Sequence, residues 1–437
     1  MRLHLRLYHR SILAMLVAAY ALPCAASDHW QALDDYLQQR TGPQGFPGAA
    51  ALVEQDGQRV FQRHYGHQNI AGTVPMRDDS LFRIYSMTKP VVSVAVLQLM
   101  EQGRLQLDDP LSRFLPEFTD THVLFEPAPG GVYRVPTPRP LTLRHLLTHT
   151  SGLSADDEQH PAAARAMSAA EVDTTSSLTE LATRLAAVPL ADPPGTHFHY
   201  DGANTHLLGR VVEVVSGQSL SDYLQQQIFT PLGMADTGFV VPADQRHRVV
   251  DLPTGHAGAL VLADTHSARH PGDRLSAYDN GAGGLYSTAA DYLRFARALL
   301  QDGSGEGPAL LRAETLTLMM SDQLGSAFGA PISGFSPGEG FGLGGYVITD
   351  PVARGRLGSV GQFGWSGAAS TWFMIDRERQ LVAILLMQYV GDGQPQRLPS
   401  PSTGFYNHVY QALDAMQAAQ KAGKVAGDGG QSVFPPR

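Results

Sequence analysis

Cysteine is almost absent from this sequence, since Cys24 is the single cysteine among 437 residues. Cys24 lies in an N-terminal segment with the pattern of a cleavable leader, so the chain that is left after cleavage contains no cysteine. Such a chain cannot form a disulfide bond, use a cysteine nucleophile or bind zinc through thiolates. An exported protein without cysteine fits a bacterial periplasm.

Long apolar runs are also scarce, and the most evident one is short. It extends from Ile12 to Leu22, follows three arginines and precedes the small residues PCAAS. This order is typical of a secretory signal peptide and predicts cleavage after Ala26. The run is short for a membrane-spanning helix, and nothing later in the chain is long and apolar enough to span a membrane. A lipoprotein anchor at Cys24 is an alternative, although the proline before it fits a lipid-attachment site poorly.

The sequence has no basic stripe. Removal of residues 1–26 takes away three of the 32 basic residues and none of the 41 acidic ones, which lowers the formal net charge from −9 to −12. An acidic chain of this kind argues against nucleic acid as a partner.

Strand-like segments lie near both ends of the chain. FPGAAALVEQDGQRVFQRHYG is typical of two strands joined by a tight turn at Asp56-Gly57, and TWFMIDRERQLVAILLMQ has the same strand, turn, strand pattern. Between them, LTLRHLLTH, SLTELATRLAAV and THLLGRVVEVVSG have apolar residues at helical spacing. The sequence therefore predicts a mixed α/β (α+β) fold, in which the N- and C-terminal hairpins form one central antiparallel sheet that is flanked by helices.

This pattern also predicts how the chain is divided. A short helix is expected at Trp30–Gln39, and the residues near the C-terminus are small, polar and rich in glycine. The predicted segments are a signal peptide (1–26), a discontinuous α/β domain (27–125 and 280–415), a mainly helical domain (126–279) and a flexible C-terminal tail (416–437).

Two motifs attract attention but are better explained without chemistry. GFSPG at 334–338 matches the G-x-S-x-G nucleophile elbow, in which the residue after the serine donates its backbone N–H. Here that residue is Pro337, which has no N–H, so we interpret the match as coincidence. His145 and His149 could present two metal ligands on one helix face, but HLLTH lacks the glutamate of an H-E-x-x-H site. We interpret them as structural histidines.

The segment HFHYDGANTH contains three further histidines, His197, His199 and His206. They could offer a Ser–His pair, but their separation gives no clean pattern of a catalytic triad or a metal site. We therefore predict no metal site.

FRIYSMTKPVVSVAVLQLM combines a serine and a lysine with the most apolar helix of the chain. Proline is tolerated only in the first turn of a helix, so Pro90 places the helix start near Ser86. Residues three apart share a helix face, so the Lys89 amine can reach the Ser86 hydroxyl. A helix N-terminus favours negative charge, which suits a serine whose attack creates an oxyanion. S-x-x-K alone is a weak signal, and a capping serine beside a solvated lysine would also explain it.

The context of this motif resembles a known family. YSMTKPVVSVAVLQLMEQGRLQLDDPLSRFLPEF resembles the nucleophile helix of the serine β-lactamase and penicillin-binding-protein superfamily, particularly its class C-like branch with the family VIII carboxylesterases. LTLRHLLTHTSGL, GAGGLYSTAADYLRFARALL and FGLGGYVI resemble other segments of that branch in the same order. FHYDGANTHLLGRVVEVVSGQSLSDYLQQQIFTPLGM resembles the stretch with the catalytic tyrosine, here Tyr200, and GQFGWSGAASTWFMIDRERQLVAILLMQ resembles the strand that closes the active site. The resemblance covers about residues 40–410 and implies a β-lactamase/transpeptidase-like fold.

Two departures from the family pattern bear on the substrate. The second motif reads Tyr200-Asp201-Gly202, without the asparagine of Tyr-x-Asn. The third reads Trp365-Ser366-Gly367 in place of Lys-Thr-Gly, and an indole can line an apolar wall but cannot replace an ammonium. A tryptophan at this place is similar to the family VIII esterases. Both departures favour uncharged esters over β-lactams.

The resemblance implies a two-step acyl-enzyme reaction with no metal or organic cofactor. Ser86 would attack the substrate carbonyl, Lys89 and Tyr200 would move the proton, and the N–H groups of Ser86 and Ala368 would form the oxyanion hole. The substrate-binding strand would be Trp365, Ser366, Gly367 and Ala368.

We expect a periplasmic carboxylesterase acting on a small ester or amide. The alternatives are a DD-peptidase, a D-aminopeptidase or a weak β-lactamase, and, less favoured, a non-catalytic penicillin-recognising domain. The sequence leaves open the natural substrate and its acyl-chain length, the stereopreference, the formal base (Lys89 or Tyr200) and the oligomeric state.

Overall fold

A computed structural model describes residues 29–42, 45–125, 131–256, 259–301, 308–325, 337–391 and 400–428. The predicted signal peptide therefore lies outside the described residues. The strands of the described structure are β1 (Gly48–Gln55), β2 (Gln58–Gly66), β3 (Phe82–Arg83), β4 (His122–Phe125), β5 (Tyr133–Pro136), β6 (Pro253–His256), β7 (Ala259–Leu262), β8 (Tyr286–Ser287), β9 (Glu339–Phe341), β10 (Tyr346–Ile348), β11 (Phe363–Gly367), β12 (Thr371–Asp376) and β13 (Leu381–Met387).

Helices form a large part of the rest of the described residues. They are α1 (Gln31–Arg40), α2 (Thr88–Glu101), α3 (Leu143–Leu147), α4 (Pro161–Ala169), α5 (Leu178–Ala186), α6 (Gly202–Ser216), α7 (Leu220–Leu224), α8 (Thr230–Leu232), α9 (His266–Arg269), α10 (Ala289–Leu300), α11 (Ala313–Met319), α12 (Pro351–Arg354) and α13 (Ser402–Asp428). No helix in the described ranges has the length and hydropathy that crossing a bilayer requires.

A seven-stranded antiparallel sheet joins the two ends of the chain, in the order β2-β1-β13-β12-β11-β10-β9. The contact between the ends is the pairing of β1 with β13, in which Ala49 lies opposite Met387. The prediction that both terminal hairpins share one antiparallel sheet is confirmed. The turn after β1 is at Asp56 and Gly57, both of which have positive φ, as the Asp-Gly pair predicts.

The inner strands β1 and β13 are buried along nearly their whole length. Because successive residues of a strand point in opposite directions, such strands contribute to the core on both faces of the sheet. On β13, Ala383 and Leu385 pack with α1 and α13, whereas Ile384 and Leu386 pack with the larger core on the other side. That larger core continues into the helical region, so one apolar cluster connects the sheet to the residues between 126 and 279. The domain boundaries at 125 and 280 stay predictions.

Helix α2 lies in the middle of the larger core. It is apolar on all sides, and every residue from Thr88 to Leu97 is buried, which is the pattern of a helix enclosed by other elements. Its start confirms the position that Pro90 predicts. A 3₁₀ turn at Tyr85–Met87 leads directly into α2 at Thr88.

Helix α10 connects the sheet to the start of α2. On one side the Nε of Arg297 donates to the buried carboxylate of Glu54 on β1, at 2.6 Å. On the other side the hydroxyl of Tyr292 donates to the carbonyl of Met87 at 2.8 Å, and the Tyr292 ring packs edge-on against Phe373 of β12. The turn that carries Ser86 is therefore held against the sheet.

The C-terminal segment differs from the expectation. The sequence favoured a flexible tail from residue 416, whereas α13 continues to Asp428. Its earlier turns bury Phe405 and Val409 against the sheet, and the helix extends from this anchored part. The flexibility of the tail stays a prediction. Of GFSPG, only Pro337 and Gly338 are within the described residues, so the interpretation of that motif is also untested.

We expect Tyr292→Phe to lower the free energy of unfolding by about 1 kcal/mol, because the buried Met87 carbonyl loses its donor while the ring stays in place. Urea denaturation followed by circular dichroism measures this. A variant as stable as the wild type would contradict the role given to the hydroxyl.

The buried side chain of His145 makes the free energy of unfolding depend on pH. Burial, followed by the charge of Arg139, lowers the pKa of His145 to about 4. Its Nδ1 accepts the N–H of Thr142 in a capping box at the start of α3. Because the unfolded chain binds this proton below pH 6.5 and the folded protein does not until about pH 4, acid lowers the free energy of unfolding through this window.

His145→Gln should therefore lose about 2 kcal/mol less stability than the wild type between pH 7 and pH 4.5. Glutamine cannot titrate but completes the same capping box, so the helix start is preserved. Urea titrations at several pH values test this, and parallel curves for the two proteins would contradict it.

Candidate active site

The turn that carries Ser86 has a constrained backbone. Tyr85 has a φ of 42°, a left-handed conformation that is unfavourable for a tyrosine. The surrounding chain holds it there. Gly283 packs against the Tyr85 backbone, where an added Cβ would be in ordinary contact at 3.5 Å. Two residues later, Leu285 donates its N–H to Thr88 Oγ1. Ser86 is thereby placed at the half-buried mouth of α2.

Lys89 is buried directly beneath the serine. It is only 3% exposed, and its Nζ donates to Ser86 Oγ at 3.1 Å and to the carbonyl of Ala282 at 2.7 Å. The predicted approach of the lysine to the serine is confirmed. The alternative of a solvated first-turn lysine is wrong, because the amine has exchanged water for two protein acceptors.

Tyr200 comes to the same point from the segment before α6. The Nζ of Lys89 lies 4.8 Å from the centre of its ring, and 44% of the residue is exposed. Asp201 caps α6 by accepting the N–H of Ala203 at 2.8 Å, and its other oxygen accepts the N–H of Ala155 at 3.0 Å. Asp201 thus fixes the start of the helix and with it the tyrosine.

The ring of His149 packs against the ring of Tyr200. Its ring lies 4.8 Å from the tyrosine ring, and its Nδ1 accepts the backbone N–H of Asp201 at 3.2 Å. Burial, followed by the nearby charge of Lys89, lowers the pKa of His149 well below its usual value. The ring is therefore neutral, which leaves Nδ1 free to accept a hydrogen bond.

An aromatic wall built around Trp365 closes one side of the site. The indole Nε1 of Trp365 donates to the Tyr200 hydroxyl at 3.1 Å, and the two rings are 5.1 Å apart. Phe341 packs edge-on against the indole at 5.1 Å, and Tyr346 lies 6.2 Å from it. Trp365 therefore both orients the tyrosine and offers an apolar surface.

Strand β11 brings the other predicted binding residues to the Ser86 turn. Gly367 contacts the carbonyl of Ile84, and a side chain there would collide with it. Thr371 Oγ1 donates to the same carbonyl at 3.3 Å. Ala368, directly after this close contact, is exposed. The strand thus runs beside the turn that carries Ser86. In the sequence of the strand, Ser366 lies between Trp365 and Gly367.

The remaining histidines of the sequence do not pair with Ser86 in the described structure. His145 belongs to the capping box of α3, and His206 packs against Tyr278, where burial and the charge of Lys89 lower its pKa to about 3. His197 and His199 instead contact Asp192. The interpretation of His145 as structural agrees with these contacts, but His149 lies beyond the end of α3 and supports Tyr200.

Sequence patterns missed two parts of the site. His149 has a φ of 53°, and nothing in HLLTH reveals that its ring turns toward Tyr200. The Ala282 carbonyl is a backbone acceptor, for which the only available signal is the small-residue run GAGG around it. Both act on groups that the sequence did identify, since one positions Tyr200 and the other holds the Lys89 amine.

Comparisons with known proteins identify the family of the chain. A family model described as Beta-lactamase matches residues 33–401. Esterase EstB of Burkholderia gladioli is 33% identical over 385 residues, which cover 83% of this chain and 91% of that protein. An uncharacterized protein of Mycobacterium tuberculosis is 34% identical over 393 residues, covering 84% and 94% of the two chains.

A solved structure shares the fold. EstCE1, described as a hydrolase with promiscuous acyltransferase activity, superimposes with a TM-score of 0.72 at 23% identity and covers 88% of this chain and 98% of its own. The predicted resemblance and fold class are confirmed. Because the family model spans most of the chain, and because an esterase is among the relatives above 30% identity, the chain belongs to the beta-lactamase family and is a serine hydrolase of the esterase-containing branch.

Proposed function

We propose that the protein is an exported carboxylesterase that cleaves small esters through a Ser86–Lys89–Tyr200 acyl-enzyme mechanism. The observation that carries this proposal is the position of the buried Lys89 amine. It is hydrogen-bonded to the Ser86 hydroxyl and lies against the Tyr200 ring. The proposed nucleophile, Ser86, therefore lies next to Lys89, which contacts Tyr200, and these are the two groups proposed to carry its proton.

In the first step, Ser86 Oγ forms a bond to the ester carbonyl carbon, and the hydroxyl proton passes to the Lys89–Tyr200 pair. The carbonyl oxygen becomes an oxyanion, for which the N–H groups of Ser86 and Ala368 are the proposed donors. The close contact of Gly367 with Ile84 brings these two parts of the backbone together. Collapse of the intermediate breaks the ester C–O bond, and the pair returns a proton to the leaving alcohol.

In the second step, water replaces the alcohol. The pair removes a proton from the water as its oxygen attacks the acyl carbon, and Ser86 Oγ leaves and regains its proton. Tyr200 is suited to both steps because the residue is 44% exposed to solvent while its ring lies against the buried Lys89 amine.

The preference for uncharged esters rests on Trp365. An indole stands where the family's β-lactam-binding lysine would be, and its face continues into Phe341 and Tyr346. Such a wall favours an apolar acyl or alcohol group. The name of the relative EstB, an esterase, supports the same assignment. Export is proposed from the signal-peptide pattern alone, with the periplasm as the destination.

Replacement of Ser86 by alanine should abolish turnover of short p-nitrophenyl esters, with a loss on the order of 10³-fold or more, because no other group can form the acyl enzyme. Release of p-nitrophenol measures it. Ser168→Ala, at an exposed position of α4, is the matched control and should retain the wild-type rate. Equal rates for Ser86→Ala and the control would exclude Ser86 as the nucleophile. Turnover of D-Ala-D-Ala peptides or β-lactams without ester hydrolysis would favour the alternative assignments.

Tyr200→Phe and Trp365→Phe should affect turnover to different degrees. The first removes the proposed proton carrier and should lower kcat by about 10²-fold or more. The second removes only the hydrogen bond to the Tyr200 hydroxyl and keeps an apolar ring, so a loss of about 5- to 10-fold is expected. Values of kcat and KM for one ester test this, and a Tyr200→Phe variant within threefold of the wild-type kcat would contradict the role of Tyr200.

A further inference from the structure

A second cluster of polar side chains lies beside Tyr200, around the carboxylate of Asp192. Oδ2 contacts His199 Nε2 at 2.7 Å and His160 Nε2 at 3.5 Å, and Oδ1 contacts His197 Nδ1 at 3.1 Å. The rings of His160 and His199 meet edge to face at 4.7 Å. Three imidazoles thus converge on one acid.

The side chains of this cluster are also ones that bind transition metals. The Asp192 carboxylate offers oxygen lone pairs, and each imidazole can offer the lone pair of the ring nitrogen that does not carry its proton. One acidic residue therefore faces three imidazoles, which are the commonest ligands of such ions.

The distances fit a metal ion. One ligand atom each from His160, Asp192 and His199 lies within 4.8 Å of the other two. Two ligands of a tetrahedral ion with bonds of about 2.0–2.1 Å are about 3.4 Å apart, and the observed contacts of 2.7 and 3.5 Å lie on either side of that value. Only small movements of side chains would therefore be needed.

We propose that His160, Asp192 and His199 form a binding site for a divalent transition-metal ion such as Zn²⁺. Imidazole and carboxylate ligands suit zinc, copper and nickel better than calcium or magnesium. On binding, the imidazole proton that points at Asp192 is lost or moves to the other ring nitrogen, and a bond to the metal takes its place.

The surroundings of the cluster let an ion enter from solvent and let it hold separate stretches of chain together. A cleft of about 980 Å³ is lined by His160, His197, His199 and Tyr200, so an ion can enter from solvent. The ligands lie in three separate stretches of chain: just before α4, after α5 and just before α6. His199 N–H also donates to the carbonyl of His149 at 2.8 Å. The bound ion would cross-link these stretches and fix the segment that leads into Tyr200. The site is distinct from the Ser86 chemistry and does not depend on it.

Isothermal titration of the metal-free full chain with ZnCl₂ tests the site. We expect one ion per chain, and we expect His160→Ala and His199→Ala each to weaken binding at least tenfold. His64→Ala is the matched control, since His64 pairs with a single acid, Asp78, at 3.1 Å and should leave binding unchanged. A wild type without stoichiometric zinc binding, or variants that bind as tightly as the control, would overturn the proposal.

Thermal unfolding with and without Zn²⁺ provides a second readout. Zinc should raise the melting temperature of the wild type and of His64→Ala but not of His160→Ala. A far-UV circular-dichroism spectrum of metal-free His160→Ala that matches the wild-type spectrum shows that the variant is folded. Because binding is measured without substrate, a failure of the esterase proposal would leave this result intact. An equal zinc-induced shift in all three proteins would overturn the site.

Discussion

The burial of one amine organises this molecule. Lys89 is almost fully removed from water, and a buried amine must find acceptors or lose several kilocalories per mole. Its acceptors come from the turn before α2 and from the segment around Ala282, and the ring of Tyr200 covers it from a third direction. The chain must bring these three distant segments together to satisfy a single side chain, and the proposed active site is the place where they meet.

The aromatic wall adds a second constraint to the first. Trp365 reaches the site only because β11 runs beside the Ser86 turn, and that approach requires a glycine at position 367. The indole then donates to the Tyr200 hydroxyl, so the strand that lines the proposed substrate pocket also orients the proposed proton carrier. One hydrogen bond therefore links the residue that lines the pocket to Tyr200. Through this bond Trp365, which stands where the family pattern has a lysine, still contacts the rest of the site.

Local patterns predicted those features that depend on local geometry. The Ser86–Lys89 contact follows from a three-residue helical spacing, the position of Pro90 fixes the helix start, and Asp56-Gly57 marks the hairpin turn. Tyr200 could be identified only through the family resemblance, because a lone tyrosine gives no signal of its own. The role of His149 and the cluster around Asp192 could not be predicted. They depend on backbone turns and on loops that become neighbours only after the helices pack.

The pairing of β1 with β13 has a consequence for how the chain acquires its structure. The hairpin of β1 and β2 is local, but the next strand in the sheet is near the opposite end of the sequence. Closing so large a loop is entropically costly and slow, and the central sheet cannot be completed before nearly all of the chain is available. Until β13 is in place, the backbone N–H and C=O groups on one edge of β1 have no partner strand. The chain therefore has to bring β13 to β1 before a strand of another chain pairs with that open edge.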